Sequence, residues 1–186
     1  MDLLTKAIFF ATKAHEGQMR KMTNTPYILH PIEVASIIAT ITDDQDIMAA
    51  GVLHDVIEDC GVEPATIREL FGPRVSALVQ SDSEDRLDPR PASETWMERK
   101  SDSLLMLKHT KDIGVKIMWM GDKLSNMRSF YRYYKQYGNE FWKDLNQKDP
   151  AKHGWYYKTI AKHLGELKET FAYKEYIWLL EEVFGK

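Results

Sequence analysis

The chain has 186 residues, 44% of them hydrophobic and 28% charged, a balance that suits one globular domain with a core of its own. A formal net charge of −3 argues against broad nucleic-acid binding but leaves room for a local basic patch facing a small polyanion. The single cysteine, Cys60, excludes an internal disulfide; with no cationic leader at Met1-Asp2-Leu3 and no apolar run of membrane-spanning length, a cytoplasmic protein without a membrane partner is expected.

Hydrophobic periodicity predicts an all-α fold in a single domain spanning 1–186. Helices are expected at about 2–15, 31–41, 45–58, 64–70, 73–81, 95–109, 112–136, 154–170 and 173–184. His15 reads as a polar residue closing the first helix, and Arg20-Lys21, taken alone, as a solvated loop pair. His30 precedes Pro31, which suits the first position of a helix through Ile32, Val34, Ile37 and Ile38. That puts His30 at a helix entrance, with Tyr27-Ile28-Leu29 extended before it.

The third helix is apolar from Gln45 to Leu53 and runs into His54-Asp55-Val56-Ile57-Glu58-Asp59. On a continuous helix Asp55 and Asp59 share a face, as do His54 and Glu58. Like charges at that spacing repel, and they sit at the negative end of the macrodipole just before Gly61. A divalent cation removes both penalties; a plainly solvated helix end is the alternative. The stretch 82–94, rich in Asp, Pro and Ser, is the longest break and reads as the rim of a site, with room for one short β-hairpin.

Asp122 interrupts the apolar run Val115, Ile117, Met118, Trp119, Met120, Leu124 and Met127, so its carboxylate needs a cation or strong hydrogen bonds. Lys123 is a sequence neighbour and projects roughly 100° away around the helix. Asn126 shares the Asp122 face and can orient a ligand or meet a substrate. Arg99 and Lys100 are exposed helix charges or phosphate contacts. The aromatic run from Phe130 to Tyr137 packs helices, forms the surface of a homo-oligomer, or stacks a base. His109, His153 and His163 show no ligand spacing.

His30, His54-Asp55 and Asp122 together make an N/O set drawn from separate elements, which suits a divalent ion. In that order they resemble the HD superfamily of metal-dependent phosphohydrolases. Four segments carry a closer likeness: Ala14 to Lys21, Pro26 to Pro31, Leu53 to Asp59 and Gly121 to Arg128 resemble the (p)ppGpp hydrolase domain of RelA/SpoT proteins. The single-domain length is similar to that of the small alarmone hydrolases, which include the animal Mesh enzymes. The resemblance implies the HD helical fold, with His30, His54, Asp55 and Asp122 as ligands of one Mn²⁺. It further implies that Glu58 and Asp59 position and activate water, and that Arg20, Lys21, Asn126 and Tyr156 contact the nucleotide. The implied reaction removes the 3′-pyrophosphate of ppGpp or pppGpp, giving GDP or GTP and pyrophosphate.

Departures from that pattern leave alternatives open. Met22-Thr23-Asn24-Thr25-Pro26 stands where Ser-Gly-Glu-Pro is usual, which admits another 3′-phosphorylated nucleotide such as NADPH or an adenine analogue. Ser81-Asp82-Ser83-Glu84 replaces a Val-Thr segment, and Gly121 replaces a usual alanine, weakening the helix slightly. A catalytically silent nucleotide-binding or antitoxin-like module is a further alternative, against which the intact acid and histidine set argues. The chain closes where a bifunctional relative continues into a synthetase domain, so synthesis is not expected.

Overall fold

Helix α1 (Leu3–Ala14) begins where the Asp2 carboxylate accepts the Thr5 backbone N–H, and it lays Ala7 and Ala11 into the core. The computed structural model describes residues 1–21, 23–83 and 89–185. After a loop come α2 (Leu29–Ile38), α3 (Gln45–Leu53), the short α4 (Val56–Cys60), α5 (Pro64–Phe71) and α6 (Pro73–Asp82). The second half holds α7 (Trp96–His109), α8 (Ile113–Tyr137), α9 (Pro150–His163) and α10 (Phe171–Phe184), with 3-10 turns at Gly138–Asp144 and Gly165–Leu167. Among the described residues no helix is long and apolar enough to cross a membrane.

Helix α8 is the central element. Asp112 caps its start by accepting from Gly114 N–H, and from Gly114 to Ser125 every side is buried. Helices α2, α3, α6 and α10 pack around it. Two glycines set how closely these helices approach. A Cβ on Gly121 would lie 2.8 Å from Ile38 Cγ1 and 3.1 Å from the Val34 carbonyl oxygen; one on Gly51 would lie 2.4 Å from Ile38 Cδ1. Gly121 is therefore more than a weak helix former: with Gly51 it makes the slot into which α2 presses Ile38.

Several boundaries differ from those expected, each for a local reason. Helix α2 starts at Leu29, because Pro31 fits within a first turn whose N–H groups have no intrahelical partner. Tyr27-Ile28 is a turn rather than extended chain, with Leu29 and His30 N–H donating to the Pro26 and Tyr27 carbonyls. Helix α9 starts at Pro150, capped by Asp149, and ends at His163. The short hairpin expected near 82–94 has no strand in its described part. Asp82 closes α6, and Pro91 O accepts from the Glu94 and Thr95 N–H groups; residues 84–88 lie outside the described residues. The one β pairing among the described residues is an antiparallel bridge between Met19 and Pro26.

Candidate metal centre and nucleotide cleft

Three helices meet at the floor of the site. Helix α2 brings His30 in its first turn, the α3–α4 junction brings His54 and Asp55, and α8 brings Asp122 from its middle. One ligating atom from each of His30, His54 and Asp122 lies within 4.8 Å of the others, and all three side chains are buried. His30 Nε2 stands 3.2 Å from Asp122 Oδ1 and 3.7 Å from Asp55 Oδ2. His54 Nε2 stands 2.9 Å from Asp55 Oδ2 and 3.6 Å from Asp122 Oδ1.

A continuous helix would hold His54 and Asp55 roughly 100° apart. Instead α3 ends at Leu53, Asp55 takes φ −94° and ψ −4°, and the chain restarts as α4. That bend corrects the expectation of one helix over 45–58 and turns both side chains toward one point. Asp59 N–H still donates to Asp55 O at 2.9 Å, so those two acids keep their one-turn relation, while the break separates His54 from Glu58.

The other ring nitrogens fix what these histidines present. His54 Nδ1 lies 2.8 Å from the Gly51 carbonyl, which only accepts, so Nδ1 carries a hydrogen. Its Nε2 is buried and makes no hydrogen bond of sound geometry despite the nearby carboxylates. Burial opposes charge on His54, but Asp55 and Asp122 outweigh it and hold its pKa well above the usual histidine value. Positive charge is thus favoured at a nitrogen where a proton finds no good acceptor. A divalent cation shared with Asp55 and Asp122 satisfies both demands, so these residues fit a metal. Burial dominates at His30 and lowers its pKa.

The acids are restrained in turn. Burial alone would raise the Asp55 and Asp122 carboxyls, but His54 beside the first and Lys123 beside the second hold both below the usual carboxylate range. Lys123 does not point away as its sequence position suggests. Its long stem folds back so that Nζ pairs with Asp122 Oδ2, 4.6 Å from the Trp119 ring centroid. Asn126 Nδ2 donates to Asp122 Oδ1 at 2.6 Å, while its Oδ1 accepts from Arg20 Nη2 at 3.2 Å. Tyr27 donates its hydroxyl to Asp55 Oδ2 at 2.5 Å and lies under the Arg20 guanidinium. Burial first, then the Asp55 charge, push the Tyr27 phenol far above its ordinary pKa, so it stays a donor.

A cleft in two adjoining chambers opens above this floor. The inner one, of about 290 Å³, is lined by Asp55, Glu58, Asp59, Asp82 and Asp122 together with Lys100 and Lys123. The outer one, of about 790 Å³, shares Arg20, Lys21, Tyr27, Asp59, Arg99, Asn126 and Phe130 with it and adds Arg90 and Tyr133. Acids at the depth and cations with aromatic surface at the mouth suit a phosphorylated ligand whose phosphates point inward.

Of the residues singled out in the sequence, His30, Asp55, Asp122, Glu58, Asp59, Arg20, Lys21 and Asn126 line this cleft, while His54 lies buried beneath it against Asp55 and Asp122. Tyr156 does not: it is buried behind the wall, against Trp96, with Lys100 Nζ 5.1 Å from its ring centroid. Arg90, Ala92 and Thr95 line the outer chamber, so the described end of the 82–94 stretch does form a rim. Tyr27, Asp82 and Arg90 were not picked out. Tyr27 had one signal, its place three residues before His30.

The fold and site define an all-helical protein with a buried His/Asp cluster able to hold a metal under a basic cleft. Residues 7–147 match the family model described as HD domain, and the chain belongs to that family. It is 39% identical over 120 residues to guanosine-3′,5′-bis(diphosphate) 3′-pyrophosphohydrolase of Haemophilus influenzae, covering 64% of this chain and 17% of that protein. It is 32% identical over 131 residues to GTP pyrophosphokinase of Myxococcus xanthus, covering 69% and 17%. The chain thus spans about a sixth of these curated relatives. A solved metazoan ortholog of SpoT that hydrolyzes ppGpp aligns over 100% of this chain and 95% of that one, with a TM-score of 0.73 and 24% identity, a likeness of fold.

Proposed function

We propose that this chain is a metal-dependent hydrolase that removes the 3′-pyrophosphate of a guanosine alarmone, converting ppGpp or pppGpp to GDP or GTP and pyrophosphate. The observation that carries the reading is the convergence of His30, His54, Asp55 and Asp122 beneath a cleft whose mouth is cationic. The names of the homologous hydrolases support the substrate class. In this reading those four residues hold one divalent ion, Mn²⁺ by resemblance to the family. Such an ion supplies Lewis acidity, making a water easier to deprotonate and drawing charge from phosphoryl oxygens.

The remaining work belongs to side chains. Glu58 and Asp59, on the turn beside the His/Asp cluster, accept the proton of the attacking water. Its oxygen bonds to the phosphorus carried on the 3′ oxygen, that P–O bond breaks, and the 3′ oxygen leaves as a hydroxyl with a proton from solvent. Arg20, Lys21, Arg99 and Lys100 face the phosphates and offset their charge, with Arg20 aimed by Asn126 and Tyr27. The free Cys60 and the negative net charge support a cytoplasmic setting with a small nucleotide, not nucleic acid, as partner.

Metal-stripped protein incubated with ppGpp, with and without Mn²⁺, tests the reading by chromatography of GDP and pyrophosphate. Mn²⁺-dependent release that disappears in Asp55→Ala is expected. No release from protein that binds the metal would overturn ppGpp as substrate and point to other 3′-phosphorylated nucleotides.

A further inference from the structure

His30 and His54 are held in different ways. The Nδ1 of His54 meets a backbone carbonyl, whereas the Nδ1 of His30 meets a side chain, Ser125 Oγ, at 2.8 Å. Ser125 is fully buried, and its Oγ in turn lies 2.7 Å from Glu33 Oε2. Glu33 Oε1 accepts from Arg128 Nη1 at 3.1 Å, and Arg128 is clamped by Glu175 through Nε and Nη2, both at 2.7 Å. The row runs from α10 through α8 and α2 to the floor of the site.

Only one direction of hydrogen bonding is consistent with these partners. A guanidinium can only donate, so Arg128 gives to Glu33. A carboxylate can only accept, so Ser125 gives its single hydroxyl proton to Glu33. Ser125 Oγ is then left as an acceptor, and His30 must supply Nδ1–H. The Nε2 of His30 therefore turns its lone pair toward Asp55 and Asp122. We propose that Ser125, Glu33 and Arg128 are positioning residues that fix the tautomer of His30 needed for metal ligation. This rests on the metal-centre reading above.

The row makes an isosteric change harmful. In Glu33→Gln, Arg128 still requires an acceptor and takes the amide oxygen, so the amide NH₂ faces Ser125. Ser125 then accepts from Gln and donates to His30 Nδ1, which moves the ring hydrogen to Nε2 and points it at the metal position. Glu33→Ala removes the constraint without reversing it, so its effect is smaller. A role confined to packing predicts the opposite order, because glutamine keeps the shape and alanine does not.

Two measurements on metal-free protein test this. Long-range ¹H–¹⁵N spectra of the imidazoles, with His30 assigned by His30→Gln, should show the Nδ1–H form in wild type and the Nε2–H form in Glu33→Gln. Calorimetric titration with Mn²⁺ should show binding weakened about 10–100-fold in Glu33→Gln and in Ser125→Ala, and less in Glu33→Ala. An unchanged His30 tautomer, or an affinity for Mn²⁺ in Glu33→Gln equal to wild type, overturns the proposal. Wild type that fails to bind Mn²⁺ overturns the metal-centre reading instead, and the spectra, recorded without metal, separate the two failures.

Discussion

Asp82 shows how one side chain can act against the stability of the fold that holds it. It closes α6 with its side chain 6% exposed, and Oδ1 is buried without a hydrogen bond, the nearest cation being Lys123 Nζ at 3.6 Å. Burial pushes its pKa up to about 7, against the partial pull of Lys123. An unfolded aspartate loses its proton near pH 4. Between about pH 4 and 7 the folded chain therefore binds the extra proton, so stability falls as pH rises through that window and the full cost is present above it. Asp82→Asn in metal-free protein should raise Tm at pH 8 and change it little at pH 4.5, with Lys123 still paired to Asp122. An equal Tm change at the two pH values in calorimetric scans would rule out ionisation of Asp82 as the cause. The sequence marked Asp82 only as a departure from a Val-Thr segment, because nothing local says that the last turn of α6 is buried beside α8.

At the scale of elements, the site depends on how near α2, α3 and α8 come to one another. Ile38 fills the slot bounded by Gly51, whose own carbonyl holds His54, and Gly121, one residue before Asp122. Gly121→Ala would gain about 1 kcal/mol in helix propensity. It also forces a methyl group against Ile38 Cγ1 and the Val34 backbone, and overpacking of that kind costs about 1–3 kcal/mol. The clash should win, since the backbone oxygen cannot rotate away. Ile38→Ala alone should cost about 2–5 kcal/mol by leaving a cavity. The double variant should be more stable than the sum of the two, because the new methyl partly fills that cavity. Urea unfolding of the three variants measures the coupling, and strict additivity would refute the slot. The helices themselves were legible, since their periodicity and caps are local. The break at His54-Asp55 was not: Leu53 to Asp59 carries no glycine or proline, and tertiary contacts to Tyr27 and Asp122 bend it.

For the whole molecule, the order His30, His54-Asp55, Asp122 was readable because each is a polar residue set against apolar helix, a conflict that only convergence resolves. What the sequence hid was the side-chain traffic between helices, the return of Lys123 to Asp122, the donation from Tyr27 to Asp55, and the Ser125–Glu33 contact across 92 positions. Those contacts are set by packing rather than by spacing. Because the four candidate ligands come from α2, the α3–α4 junction and α8, an ion bound by them cross-links elements that unfolding separates. Binding only to the folded chain adds about 4 kcal/mol at a free metal concentration of about 1,000 times Kd. At roughly 2–4 °C per kcal/mol for a chain of this size, Mn²⁺ should raise Tm by about 8–16 °C. In Asp122→Ala, which takes away a ligand from the central helix, the same addition should leave Tm unchanged. A metal-dependent rise of equal size in that variant would mean that the stabilising ion sits elsewhere on the protein.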